Sequence, residues 1–304
     1  MTESLNNSSI DPSLVVGNRQ GTAEMLHAAM TEVIPILDME DAESRRYTAS
    51  AYIDRRVQEL AQTDNGKPVG FAHGGTETFI GPQTAMIGAA LMDKPYYLDD
   101  PKAYEAAVPT IKAGYDYYQD KLTPEKAYIN AVIAGANYGQ AVYFESYVGD
   151  LARRGAVSGD FIDEDAKEAN SIADYKRVAV CQERAGVAHD TLLIFGVTSR
   201  LEGGYLESTG KDGSKQSEAH AFLVVTTHEG EQFIFDPTNP IVHKDKDGAI
   251  KNISPAIYSL NDPNADRQVV KLKQFDTAED GTQAKSTREL TYYFGTMPIE
   301  SRLS

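Results

Sequence analysis

An α+β fold is predicted by a change of hydrophobic period along the chain. From Asn18 to about residue 155, apolar residues recur at helical spacing. From Val197 onward, short β-branched and aromatic runs alternate with clusters of Gly, Asp, Asn and Pro, which are strand and turn signals. Helices first and an antiparallel sheet second is an α+β layout. A third observation points to where chemistry could sit. The only cysteine in the 304 residues, Cys181, stands at the start of a helical pattern in AVCQERAGVAHDTLLIFGVTSRLEGGYL.

Three segments follow: a disordered lead-in over residues 1–17, a helical region over 18–155, and a core with C-terminal strands over 156–304. In the helical region, TAEMLHAAMTEVIPIL and ESRRYTASAYIDRRVQELAQ are predicted helices, and Pro35 is expected to end or kink the first. In PKAYEAAVPTIKAGYDYYQDKL, the residues Tyr104, Val108, Ile111, Tyr115, Tyr118 and Leu122 line one helix face. Thr123 as N-cap and Pro124 at the first helical position start the next helix, predicted to run to about residue 154. The Tyr and Met stripes of these helices read as core. GVTSRLEG, AFLVVTT, EQFIFD, QVVKLKQF and RELTYYFG are the predicted strands.

Composition narrows the functions. Lys and Arg number 29 against 45 Asp and Glu, a net charge of −16, which disfavours a phosphate backbone as partner. No apolar run is long enough for a membrane span. The opening MTESLNNSSIDPS lacks the basic and apolar regions of a secretory signal. A single cysteine excludes an intrachain disulfide framework and a Cys-cluster zinc site. A reducing cytoplasm is the expected compartment, with export by a dedicated machine as the other route. The N-x-S matches at Asn6 and Asn252 then carry no glycan. No cofactor or metal is expected. GGYLESTGKDGSK fails the glycine spacing of a phosphate loop, HKDKDG lacks the acidic ligand of a calcium loop, and His73-Gly74-Gly75 reads as an ordinary turn.

Cys181 can be a small buried hydrophobe, since Ala185, Ala188, Leu192 and Phe195 follow it on one helix face and Gly196 ends the pattern. It can also be a nucleophile, because the positive end of a helix favours thiolate over thiol. A base must then come from the histidines. His189 lies about 12 Å further along the same helix, His27 falls on a helix, His228 in a turn and His243 in a loop. His220 opens the apolar run HAFLVVTT after a long polar segment and is the chosen base. That polar segment, LEGGYLESTGKDGSKQSEA, is expected to be a mobile flap. If His228-Glu229-Gly230 form a three-residue hairpin loop with Gly230 left-handed, Asp236 faces Phe222 and becomes the diagonal neighbour of His220. Cys181, His220 and Asp236 are then nucleophile, base and orienting acid.

This pattern resembles the transglutaminase-like superfamily of cysteine enzymes. The likeness covers residues 171–240, through YKRVAVCQERAGVAHDTLLIFGVTSRLEGGY, EAHAFLVV and QFIFDPTNP, and FDPTN is its most specific piece. It implies a papain-like or transglutaminase-like core, with Cys181 as nucleophile, His220 as base and Asp236 as orienting acid. The chain has no Trp, and Gln182 follows the cysteine where animal crosslinking enzymes carry Trp. The likeness therefore runs towards bacterial relatives, often hydrolytic. It implies acyl transfer at amide bonds of a protein or peptide through a thioester, as a protease, a glutamine deamidase or a transglutaminase. Two alternatives stand beside it. An arylamine N-acetyltransferase shares such a triad, but Arg177-Val178-Ala179-Val180 lacks that family's paired glycines. A non-catalytic binding module could keep the fold, although no triad member is missing.

Overall fold

The computed structural model describes residues 19–62, 102–143, 146–147, 178–179, 181–209, 213–244, 250–260, 267–277 and 283–294. The lead-in, the boundary at residue 155, Asn6 and His73-Gly74-Gly75 lie outside them, as does part of each of the two rejected ligand loops.

Four helices come first: α1 (Arg19–Leu37), α2 (Ala42–Gln62), α3 (Lys102–Tyr118) and α4 (Pro124–Tyr143). Tyr104, Val108, Ile111 and Tyr115 are buried along α3, as its spacing predicts, whereas Leu122 lies beyond its end and is exposed. At the start of α4, the Lys126 N–H points to the Thr123 hydroxyl at 3.4 Å, the N-cap arrangement. Two expectations change. α1 continues through Pro35 to Leu37, because a proline in the last turn removes only one helical donor. α4 stops at Tyr143 rather than near residue 154, and Ser146–Tyr147 (β1) pairs in parallel with Val178–Ala179 (β2), just before the cysteine.

α5 (Cys181–Ile194) lies among the other helices and the sheet. Its end is a Schellman motif: Val197 N–H bonds Leu192 C=O at 2.8 Å and Gly196 N–H bonds Leu193 C=O at 3.0 Å. Gly196 has φ 75, and a Cβ there would stand 2.4 Å from the Ala29 Cβ of α1. Two further carbonyls at this helix end, of Ile194 and Phe195, accept the hydroxyls of Tyr52 (2.8 Å) and Tyr128 (2.9 Å). The tyrosine-rich helices thus supply donors to carbonyls that α5 itself cannot satisfy.

The sheet contains β3 (Ser199–Thr209), β4 (Lys215–Thr226), β5 (Gln232–Lys244), β6 (Ile250–Ser259), β7 (Arg267–Thr277) and β8 (Gln283–Phe294). It is antiparallel, in the order β6-β5-β4-β3-β8-β7. One face, with Leu201, Ala221, Leu223, Val225 and Phe235, packs on the helices. The other, with Leu206, Phe222, Val224, Ile234, Tyr258 and Tyr292, forms a second core. A flat sheet would hold β6 and β8 about 19 Å apart, yet the Tyr258 and Tyr292 rings are 5.8 Å apart. The sheet is therefore curled, and β4, covered on both faces, explains the unbroken apolar run AFLVV.

The expected flap is not a loop. Residues 199–209 and 215–226 pair continuously from Ser199↔Val225 to Thr209↔Lys215, so only a short connection separates them. Polar residues serve here because the outer end of β4, from Lys215 to Ser217, is exposed and is cross-linked to β3 by Lys215 Nζ and Glu207 Oε1 at 3.0 Å. His220 accordingly lies within β4 rather than at its mouth. His243 lies in β5 rather than in a loop. β6 was hidden from pattern reading by Pro255, which an edge strand tolerates.

Candidate active site

The β4–β5 hairpin sets the geometry. Gly230 has φ 87, Thr227 N–H bonds Glu231 C=O at 2.9 Å and Gly230 N–H bonds Thr227 C=O at 2.9 Å. This is the three-residue loop with a left-handed glycine. The register Thr226↔Gln232 through Leu223↔Phe235 follows from it, and its continuation sets Asp236 opposite Phe222. His220 and Asp236 therefore share the face that carries Phe222, Val224 and Ile234.

Their side chains meet there. His220 Nε2 and Asp236 Oδ2 are 2.8 Å apart, and both residues are buried. Cys181 lies near enough to act on the His220 ring, and its influence raises the imidazole pKa. With Nε2 engaged by Asp236, Nδ1 is the nitrogen left for sulfur. Cys181 is the first residue of α5, so its own N–H is among those that no helical carbonyl satisfies. The three residues singled out in the sequence thus converge from α5, β4 and β5.

Asp236 is wholly buried, and its neighbourhood explains how a carboxylate is held there. Oδ1 accepts the N–H groups of Thr238 (3.0 Å) and Asn239 (3.3 Å). Oδ2 accepts, besides His220, the Asn239 side-chain amide at 3.1 Å and the Tyr292 hydroxyl at 2.9 Å. The backbone donors are local to FDPTNP. Residues 237–240 leave the ladder, since β5–β6 pairing jumps from Asp236↔Ala256 to Ile241↔Ser254. Pro237 and Pro240 have no N–H to lose there, and the bulge turns the Thr238 and Asn239 amides back onto the carboxylate.

Burial pushes the Asp236 carboxyl upward, but His220, Asn239 and Tyr292 outweigh it and hold it below the ordinary carboxylate value. Burial likewise pushes His220 towards its neutral form. Asp236, through its charge and hydrogen bond, and Cys181 outweigh this and raise the imidazole well above its ordinary value. A cationic imidazole held between a carboxylate and a sulfur can stabilise a thiolate and can later deliver a proton.

The other histidines are elsewhere. His189 is buried on α5, its Nδ1 2.7 Å from the Ser199 hydroxyl, and burial pushes its pKa down to about 4. Its neighbour Asp190 is driven well above the carboxylate range by burial, with the Tyr104 hydroxyl 3.4 Å away. His27 and His228 stand near each other by the hairpin tip, ring centroids 6.5 Å apart.

Pattern reading missed three residues of the site. Asn239 stood in the quoted FDPTNP and is signalled by an amide side chain between two prolines. Tyr292 stood in a recognised strand, but nothing local marks it for Asp236. Gln140, on α4, donates to the Pro237 carbonyl at 2.8 Å and reads in sequence as one polar position of a helix.

A scan against protein-family models finds no family that matches this chain. No curated protein matches it either. Among the described residues, no group of three or more His, Cys, Asp and Glu side chains is arranged to hold a metal ion, and no helix is long and apolar enough to cross a membrane.

Proposed function

We propose that this chain is a thiol enzyme of acyl transfer acting on amide bonds of a protein or peptide, akin to the transglutaminase-like cysteine enzymes. The observation that carries this reading is the His220–Asp236 hydrogen bond, built around a buried, fully coordinated carboxylate, with Cys181 from a third element near enough to act on the imidazole. A structural cysteine needs none of this.

In the proposed cycle, the Cys181 sulfur attacks the amide carbonyl carbon, and the carbonyl π electrons move to oxygen. In this reading the Cys181 N–H, which no helical carbonyl satisfies, donates to that oxyanion. As the tetrahedral intermediate collapses, the C–N bond breaks and the His220 imidazolium gives its proton to the leaving amine, leaving a thioester. His220, now neutral, takes a proton from water or from an acceptor amine as that nucleophile attacks the thioester. Collapse returns the sulfur and releases an acid or a new amide. Asp236 keeps the Nε2–H directed at itself throughout, which leaves Nδ1 for the reacting atoms.

The test is alkylation of Cys181 by iodoacetamide across pH, in the wild type and in His220→Ala. At mildly acidic pH the wild type is expected to react at least about tenfold faster. Superimposable profiles, or a thiol inert in the folded wild type, would indicate a structural cysteine in a binding module. Treating lysate proteins with wild type and with Cys181→Ala then separates the reactions. New termini mean proteolysis, the mass gain of Gln-to-Glu conversion means deamidation, and joined peptides mean crosslinking.

A further inference from the structure

We propose that Gln140 is a positioning residue of this site, tying the cysteine helix to the Asp236 carboxylate through a single peptide plane. The inference rests on the reading of Cys181, His220 and Asp236 as a thiol-enzyme triad.

Gln140 lies near the end of α4 and is only 2% exposed. Its amide nitrogen donates to Asn137 C=O at 3.0 Å, in its own helix, and to Pro237 C=O at 2.8 Å, in the β5 bulge. Its Oε1 accepts from Arg184 Nη1 at 3.0 Å. Two carbonyl oxygens on one side and a guanidinium on the other settle the orientation of the amide, and both of its N–H donors are used.

The Pro237 carbonyl belongs to the same peptide unit as the Thr238 N–H. That N–H bonds Asp236 Oδ1 at 3.0 Å. Because a peptide unit is planar and stiff, fixing its oxygen fixes the direction of its hydrogen. Gln140 thus holds one end of the plane whose other end holds the carboxylate. Arg184 lies one turn along α5 from Cys181, so hydrogen bonds run from the cysteine helix through Arg184, Gln140 and the Pro237–Thr238 peptide to Asp236 and His220. α4 also reaches the far end of α5 through Tyr128 and the Phe195 carbonyl. The helical region is thereby built into the site at both ends of the cysteine helix.

The experiment is iodoacetamide alkylation of Cys181 across pH in the intact chain, for wild type, Gln140→Met and Gln140→Glu, with thermal melting alongside. Met keeps the volume and loses every hydrogen bond. Glu keeps the shape and the Arg184 contact but sets a carboxylate against two carbonyl oxygens. Both are expected to slow alkylation at mildly acidic pH by about threefold, part of the way to the His220→Ala level, with rates converging at alkaline pH where the thiol ionises unaided. A purely structural role would lower the melting temperature and leave the pH profile unmoved, which overturns the proposal. If Gln140→Met does not fold, the profile of Gln140→Glu decides in the same terms. A wild type indistinguishable from His220→Ala would instead remove the triad reading, and this inference with it. A wild-type difference that survives in full in both Gln140 variants removes the inference alone.

Discussion

Tyr292 donates its hydroxyl to Asp236 Oδ2 across 2.9 Å, although β8 and β5 are three strand spacings apart in the sheet order. On a flat sheet that separation is about 14 Å. The curl of the sheet closes it and places a phenol from the second core against the carboxylate that holds His220. Burial first, and then Asp236 itself, push the Tyr292 pKa far up, so the hydroxyl is a proton donor wherever the fold persists.

Tyr292→Phe is expected to cost about 1–3 kcal/mol of stability, the penalty for removing one donor from a buried acceptor. Turnover per folded molecule should fall only a few-fold, since four donors remain on Asp236. Chemical denaturation together with kcat would check this. A fall in kcat as large as that of His220→Ala would give Tyr292 a part in the chemistry itself.

The triad members should separate by role. Cys181→Ala is expected to abolish turnover while melting stays close to wild type. His220→Ala should be nearly as severe, because the sulfur loses its cationic partner and the leaving amine its proton. Asp236→Asn is expected to keep some activity, since the carboxylate only orients the imidazole, but to destabilise by about 3–5 kcal/mol. An amide cannot accept at both positions, so one of its own N–H groups would face the donors now gathered there. His189→Ala and His228→Ala should retain activity per folded molecule. Loss of turnover in folded His189→Ala with activity kept in His220→Ala would assign the base wrongly here.

His189 predicts a specific acid sensitivity. Its pKa is depressed by burial to about 4, whereas the unfolded imidazole titrates near 6.5. As pH falls below 6.5 the unfolded chain takes up a proton that the folded chain refuses, so stability drops until about pH 4. The shift corresponds to about 3 kcal/mol. Asp190, whose raised carboxyl pKa gives the opposite slope, is present in every variant and is removed by taking differences. The stability gap between His189→Asn and wild type should therefore move in favour of the variant through this window, as measured by denaturation at a series of pH values. A gap independent of pH would mean that the imidazole is protonated in the fold.

Features that depend on neighbours along the chain were legible from the residues alone. Helical spacing marked the buried face of α3, Thr123-Pro124 started α4, Gly196 ended α5, and one left-handed glycine at 230 fixed the hairpin register that brings Asp236 to His220. Each of these follows from a few adjacent dihedral angles or from one repeating period, which composition and spacing encode directly. Features that depend on distant surfaces emerge only in the packed fold. The polar hairpin of β3 and β4 and the proline-bearing β6 are strands because neighbouring strands pair with them, not through their own propensity. Pairing energy comes from residues far away in sequence, so the polar hairpin reads as a flap in isolation and β6 carries no strand signal of its own. Tyr292 and Gln140 lie further beyond such reading, because the first needs the curl of the whole sheet and the second the packing of α4 against α5 and the β5 bulge. A sequence window carries the period of an element but not the direction in which the packed element finally points its side chains.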